Sequence, residues 1–270
     1  MKPASPIVEL PVLTYRGGRT HIGPDPVVIE EPLEIRLAGE PFQVLMRLPG
    51  WEKELALGFL FTEGIVHNLA EVLTLHFCGT ATDPTLPPNV VDVTLVPEAL
   101  ARRGRQHLEV AYSSCGLCAK EALAEIRRQV PPIAAELTLT PEQLLALMAR
   151  LPEAQPVFAR TGGTHAAALA TPDGAVFISA EDVGRHNALD KVIGRALMEK
   201  RPLGEMVALL SGRLSFEMAL KATRAGIPLL AGVSAPTNLA VHLAQELNLT
   251  LVGFARQDRY NLYTHPHRLK

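Results

Sequence analysis

The sequence holds three cysteines among 270 residues. Three thiols cannot build a disulfide framework, so they are left for reactivity, metal or burial. Charge of one sign is also lacking. The net charge is -2, and no global basic field exists to hold duplex nucleic acid. Long apolar runs are missing too. The greasiest, residues 55–61, is far too short to span a bilayer. Met1-Lys2-Pro3-Ala4-Ser5-Pro6 leads into no apolar stretch of a secretory signal. A cytoplasmic chain with reduced thiols, no nucleic-acid partner and no membrane insertion is expected. There is no second CxxC and no zinc-spaced histidine pair. Cys115 and Cys118 would give zinc only two of four ligands, and His265 and His267 could join only by folding back, so no metal is expected.

What is present reads as a folded chain. Hydrophobic residues make up 47% and charged ones 20%, which suits one large domain or two unequal ones. Residues 1–30, rich in proline and glycine, read as an irregular arm with short strands. Leu33, Ile35 and Leu37 alternate with Glu34 and Arg36, the period of a half-buried strand, and 42–48 returns as its hairpin partner. A helix over about 52–63 stops at Gly64, and strands follow near 72–78 and 90–96. Cys78 reads as a buried, inert thiol. A helix over about 117–130 ends at Pro131-Pro132, and 131–139 reads as a linker. Thr140-Pro141-Glu142-Gln143 is a helix start with a capping box. From Thr164 onward strands alternate with helices, which implies an α/β layer fold with parallel pairing.

Four stretches could carry chemistry. Ser113-Ser114-Cys115-Gly116-Leu117-Cys118 places two thiols just ahead of a helix. The positive helix end favours thiolate over thiol. Metal ligation, dithiol exchange and the holding of a sulfur atom as a persulfide all need such a pair. Glu181-Asp182-Val183-Gly184-Arg185-His186-Asn187-Ala188-Leu189-Asp190-Lys191 packs seven polar functional side chains into eleven positions at a strand-to-helix junction. One reading is an N-cap at Asp182 with a solvated helix start. The other is a ligand site with Arg185, His186 and Asn187 facing an anionic or heterocyclic group. Ser211-Gly212-Arg213 is a second such junction, suited to phosphate or to an ordinary loop. Phe254, Ala255, Arg256, Gln257, Asp258 and Arg259 follow the last strand, where two arginines make either an anion clamp or solvated surface charge.

These motifs resemble the FdhD/NarQ family of formate dehydrogenase accessory proteins. The resemblance rests on the Ser-x-Cys-Gly-x-Cys stretch, Thr161-Gly162-Gly163-Thr164-His165, the eleven-residue block and Ser211-Gly212-Arg213. Leu55-Ala56-Leu57-Gly58-Phe59-Leu60 and residues 254–259 fit it as well, and Ala119 stands where the family commonly has glycine. The resemblance implies a sulfur carrier with sulfurtransferase-type activity. It would take sulfur from a cysteine desulfurase as a persulfide on Cys115, with Cys118 as partner. It would deliver that sulfur to the molybdenum cofactor carrying guanine dinucleotides (bis-molybdopterin guanine dinucleotide), for formate dehydrogenase. The segment 254–259 would bind this cargo, with GDP as a mimic. A homodimer is implied as well.

The resemblance also implies a fold. A cytidine-deaminase-like three-layer α/β domain would occupy 131–270, behind a smaller α+β domain over 1–130 that ends in the CxxC loop and its helix. His186 and Ser211/Ser215 would stand where a deaminase holds zinc, leaving a pocket for a guanine nucleotide or pterin. Two rival functions remain beside the carrier: a cofactor-binding chaperone with secondary cysteines, and a dithiol oxidoreductase.

Overall fold

A computed structural model describes residues 5–78, 89–104, 126 and 129–270. The N-terminal stretch is one long hairpin, not an irregular arm. Strand β1 (Ile7–Arg16) pairs antiparallel with β2 (Arg19–Val28). Gly17 and Gly18 turn the chain with φ of 57° and 82°, the left-handed pair that a two-residue hairpin turn demands. Pro11 faces Pro24, and Pro26 faces Glu9. In a two-stranded ribbon these positions can point their missing N–H groups outward, so the prolines cost no ladder bond.

Strands β3 (Glu31–Leu37), β4 (Glu40–Arg47), β5 (Val72–Cys78) and β6 (Val90–Leu95) form a four-stranded sheet in the order β4-β3-β6-β5. The alternation at Leu33, Ile35 and Leu37 buries all three. Helix α1 (Glu52–Thr62) covers that face with Leu55, Ala56 and Leu60. It ends near Gly64, whose φ is 74°. A short helix, α2 (Pro97–Leu100), follows β6. The Cys115/Cys118 stretch and most of the helix expected over 117–130 lie outside the described residues, as does the side chain of Cys78.

Helix α3 (Pro141–Arg150) opens with the expected capping box. Thr140 Oγ1 accepts the Gln143 N–H at 3.2 Å, and Gln143 Oε1 accepts the Thr140 N–H at 2.8 Å. A short helix α4 (Pro156–Thr161) follows, which periodicity does not announce. Then come β7 (His165–Ala170), β8 (Phe177–Asp182), α5 (Arg185–Met198), β9 (Val207–Leu210), α6 (Phe216–Arg224), β10 (Leu229–Gly232), α7 (Asn238–Glu246), β11 (Thr250–Arg256) and β12 (Arg259–Leu262). They build a six-stranded sheet in the order β12-β11-β10-β9-β7-β8. Strands β9, β10 and β11 run parallel, and β7 is antiparallel to both its neighbours.

The β9 run is buried on both faces, as a central strand between two layers must be. Ala208 and Leu210 pack with Leu189, Met218 and Leu243 from α5, α6 and α7. Val207 and Leu209 pack with Leu144, Leu147 and Met148 of α3. Three layers result. Residues 131–139 are no free linker: Ile133 N–H donates to Leu247 O, and Leu139 N–H donates to Arg268 O. Nor is the C-terminal end a loose tail, because Arg268 is buried and its guanidinium donates to Asn248 O, Thr250 Oγ1 and Ala135 O. Among the described residues no helix is long and apolar enough to cross a membrane.

Candidate functional site

The eleven-residue block divides between two tasks. Part of it ties the two sheets together. Asp182 is the last residue of β8 and not the N-cap of α5, a place held by Gly184. Its carboxylate is buried and accepts from Leu48 N–H at 3.1 Å, Gly184 N–H at 3.1 Å and Asn187 Nδ2 at 3.0 Å. Lys191 Nζ completes the cluster at 2.7 Å from Asp182 Oδ2, and donates to Leu48 O at 2.9 Å. Asn187 also donates to Met46 O at 2.7 Å. Buried polar groups survive only with such partners.

A second buried cluster lies where α5 meets α1 and α6. Asp190 sits 2.8 Å from Lys221 Nζ and accepts from Thr62 Oγ1 at 2.8 Å. Burial pushes the Asp190 carboxyl above its usual value, while Lys221 and Thr62 hold it back. These contacts fasten the end of α1 to α5 and α6.

The rest of the block faces the sheet's carboxyl edge. Here the ends of β8 and β9 meet the start of antiparallel β7, so His165, Arg185, His186, Ser211, Gly212 and Arg213 gather. Gly212 marks a close approach: a Cβ there would stand 3.5 Å from His165 Nδ1 and 3.9 Å from Arg185 Cδ. Ser211 is partly occupied by the fold, since its Oγ accepts the Ala166 N–H at 2.8 Å. Arg213 is exposed and Arg185 half-buried. Arg185 Nε and Ser215 Oγ are buried with no hydrogen-bond partner among the described residues.

The cations here push on one another. Burial, then Arg185, Lys221 and His165, lower the His186 pKa to about 4. Burial, then Arg185 and Arg213, lower that of His165. Arg185 itself is lowered by burial and by Arg213. At neutral pH the edge therefore offers two guanidiniums and two neutral imidazoles, a set suited to an anion with hydrogen-bonding neighbours.

The segment 254–259 lies on the same edge but is a hairpin, not a loop after the last strand. Arg256 ends β11, Arg259 begins β12, and the two are paired across the turn. Phe254 and Gln257 hold left-handed φ of 54° and 55°. Ala255 is buried, while Arg256, Gln257, Asp258 and Arg259 are exposed. Strand β10 separates this tip from Ser211-Gly212-Arg213, a gap of about 10 Å at ordinary strand spacing. Among the described residues no hydrogen bond or ion pair joins the two groups. Cys115 and Cys118 lie outside the described residues.

Sequence reasoning did not single out Lys221. For Lys221 no local signal existed, because its partners come from elements far off in sequence.

A family model described as the FdhD/NarQ family matches residues 28–270. The chain is 47% identical to a protein of Streptomyces avermitilis named sulfur carrier protein FdhD, over 96% of this chain and 94% of the relative. It is equally similar, at 47%, to the protein of that name from Mycolicibacterium paratuberculosis, over 93% and 94%. Among solved structures, a protein of Desulfotalea psychrophila described as a formate dehydrogenase accessory protein superposes with a TM-score of 0.78. It is 26% identical and covers 98% of this chain and 99% of its own. The fold of that accessory protein is thus shared along nearly the whole length. The chain belongs to the FdhD/NarQ family.

Proposed function

We propose that this protein is a sulfur carrier for a formate dehydrogenase. The observation that carries this reading is the 47% identity over nearly both full lengths with proteins named sulfur carrier protein FdhD. In this reading the Cys115 thiolate attacks the outer sulfur of a persulfide on a cysteine desulfurase. A new S–S bond forms on Cys115, the desulfurase S–S bond breaks, and the desulfurase cysteine leaves as thiolate. The outer sulfur then passes to a molybdenum cofactor carrying guanine dinucleotides. Attack by the Cys118 thiolate on the inner sulfur would release hydrosulfide and leave a Cys115–Cys118 disulfide, reset by a dithiol reductant.

The cargo site in this reading is the sheet's carboxyl edge, with Arg185, His186 and Arg213 in the centre and Arg256 and Arg259 on the hairpin tip. The unpartnered Arg185 Nε and Ser215 Oγ support it. A cytidine-deaminase-like reading of the larger unit is supported by the strand order and by the antiparallel β7. His186 in the first turn of α5 and Ser215 just before α6 would then stand where zinc ligands stand in deaminases. We take the unit to be a homodimer in solution, as the resemblance implies.

The test is mass spectrometry of the protein after incubation with a cysteine desulfurase and cysteine. A gain of ~32 Da on the Cys115 peptide, and none in Cys115→Ala, is the expected sign of a held sulfane sulfur. An unmodified Cys115 peptide, or formate dehydrogenase activation that survives Cys115→Ala, would overturn the carrier role.

A further inference from the structure

The β1–β2 ribbon is fastened only at its base. There Ile7 and Val28 pack on Leu48 and on Val157 of α4, and Arg160 stands 3.5 Å from Glu9. Among the described residues no hydrogen bond or ion pair joins residues 12–23 to the chain outside the ribbon. Cross-strand pairing sets Pro11 opposite Pro24, Leu13 opposite Ile22 and Tyr15 opposite Thr20, so all six share one face. It is the face that Ile7 and Val28 bury at the base. Farther out Leu13 is 67%, Ile22 70% and Tyr15 74% exposed. They form a contiguous apolar patch of roughly 400 Å², a size that marks contact sites on folded chains.

A second patch lies on the outer face of the β3–β4 hairpin. Val44 stands opposite Glu34 and Met46 opposite Pro32, away from the side that Leu33, Ile35 and Leu45 turn to α1. Val44 is 55% and Met46 49% exposed. The two patches match in layout and differ in sign. On the ribbon, Leu13 and Tyr15 lead to a cationic tip, where Arg16 and Arg19 face each other across the turn. On β4, Met46 and Val44 lead to Glu40, which is exposed and has no ion pair among the described residues. Leu13 precedes Arg16 by about 10 Å, and Val44 lies about 13 Å from Glu40, at ordinary strand rise.

We propose that each ribbon crosses to a second copy of this chain and lays this face over the outer side of the partner's β3–β4 hairpin, with Arg16 and Arg19 at the partner's Glu40. Permanence favours a second copy. A bare two-stranded ribbon is marginal in water, so its cover must be present throughout the life of the protein. A desulfurase or a formate dehydrogenase that docks and leaves does not provide that. Area decides the seating. Two ribbons laid face to face would bury about 800 Å² in total, short of a stable interface, whereas a reciprocal exchange uses both patches twice and reaches about 1,600 Å². A twofold dimer demands such reciprocity, since each patch meets its counterpart on the other copy twice. This arrangement rests on the homodimer reading above and gives it a surface.

The experiment is sedimentation equilibrium of the full-length protein over a concentration series. Wild type is expected at twice the chain mass. Leu13→Ser with Ile22→Ser should weaken the dimer at least about a hundredfold, because each lost apolar contact counts twice across the dyad. Arg16→Glu with Arg19→Glu should weaken it about tenfold, as should Glu40→Arg alone, and the three together should restore most of the loss. That restoration also covers the case in which the serine changes loosen the ribbon itself. A dimer that none of these variants weakens would overturn the exchange and leave the homodimer reading standing. A dimer sensitive to the ribbon changes but indifferent to Glu40→Arg would overturn the seating on β4. A monomeric wild type would overturn both readings and leave the ribbon face to a foreign partner.

Discussion

Gly58 of α1 and Gly194 of α5 meet where the two helices cross. A Cβ on Gly58 would stand 1.9 Å from Asp190 O, and one on Gly194 would stand 1.9 Å from Glu54 O. Each helix thus packs its backbone against the other's glycine. Neither position can yield by a rotamer change, since the obstacle is main chain. Gly58→Ala or Gly194→Ala must push α1 off α5, and overpacking of this kind costs about 3 kcal/mol. Urea unfolding of each variant should show a midpoint well below wild type; an unchanged midpoint would mean that the helices are not in this contact.

The same crossing carries the Asp190–Lys221 pair, buried at both ends. Removing one partner strands the other charge. Lys221→Met and Asp190→Asn should each destabilise the protein by about 3–5 kcal/mol, and the double replacement by less than their sum. A double-mutant cycle in urea measures the difference. Strict additivity would show the pair to be uncoupled.

His186 gives stability a pH dependence. Its pKa falls from the ordinary 6.5 to about 4 in the folded chain, so the unfolded chain binds the extra proton first. The contribution is fully present above pH 6.5 and is lost as pH falls toward 4. His186→Gln should flatten the stability profile between these limits. A wild-type profile already flat there would contradict a buried neutral imidazole.

Arg256 and Arg259 are exposed and carry no ion pair among the described residues. Replacing either by alanine should leave stability within about 0.5 kcal/mol, as for surface positions without structural partners. Cargo or GDP affinity should nonetheless fall, and fall more at low salt than at high salt, where screening already weakens both proteins. Equal affinity in a titration at low salt would remove the hairpin tip from the binding surface.

Much of the core was legible because it obeys local rules. The alternation at Leu33, Ile35 and Leu37 and the capping box at Thr140 and Gln143 each specify their element within a few residues. The ribbon 7–28 was not, since its prolines argue against strands until one knows that both of its edges are open. Strand β12 was hidden by a turn that starts with Gln257, a non-glycine residue in the left-handed region. The eleven-residue block was legible as special but not as divided. Asp182 looked like an N-cap and Asn187 like a site residue, yet their partners Leu48 and Met46 lie 134 and 141 positions away. Only tertiary structure shows which carboxylate meets solvent and which meets a distant backbone. Arg185, His186 and Arg213 stand at two separate junctions in the sequence, and only the pairing of β7 with β8 and β9 brings those junctions to one edge.

The prolines of the N-terminal ribbon have a consequence for association. Pro11 and Pro24 stand opposite each other, with Pro26 two residues on. Each rim of the ribbon therefore has a break in its outward donors, at Pro11 on β1 and at Pro24 and Pro26 on β2. A foreign strand cannot zip onto either side, which protects a long, solvent-washed hairpin from sheet-by-sheet aggregation. A molecule that engages the ribbon would instead lie flat across its faces, where Val8, Leu10, Leu13, Tyr15 and Ile22 are exposed.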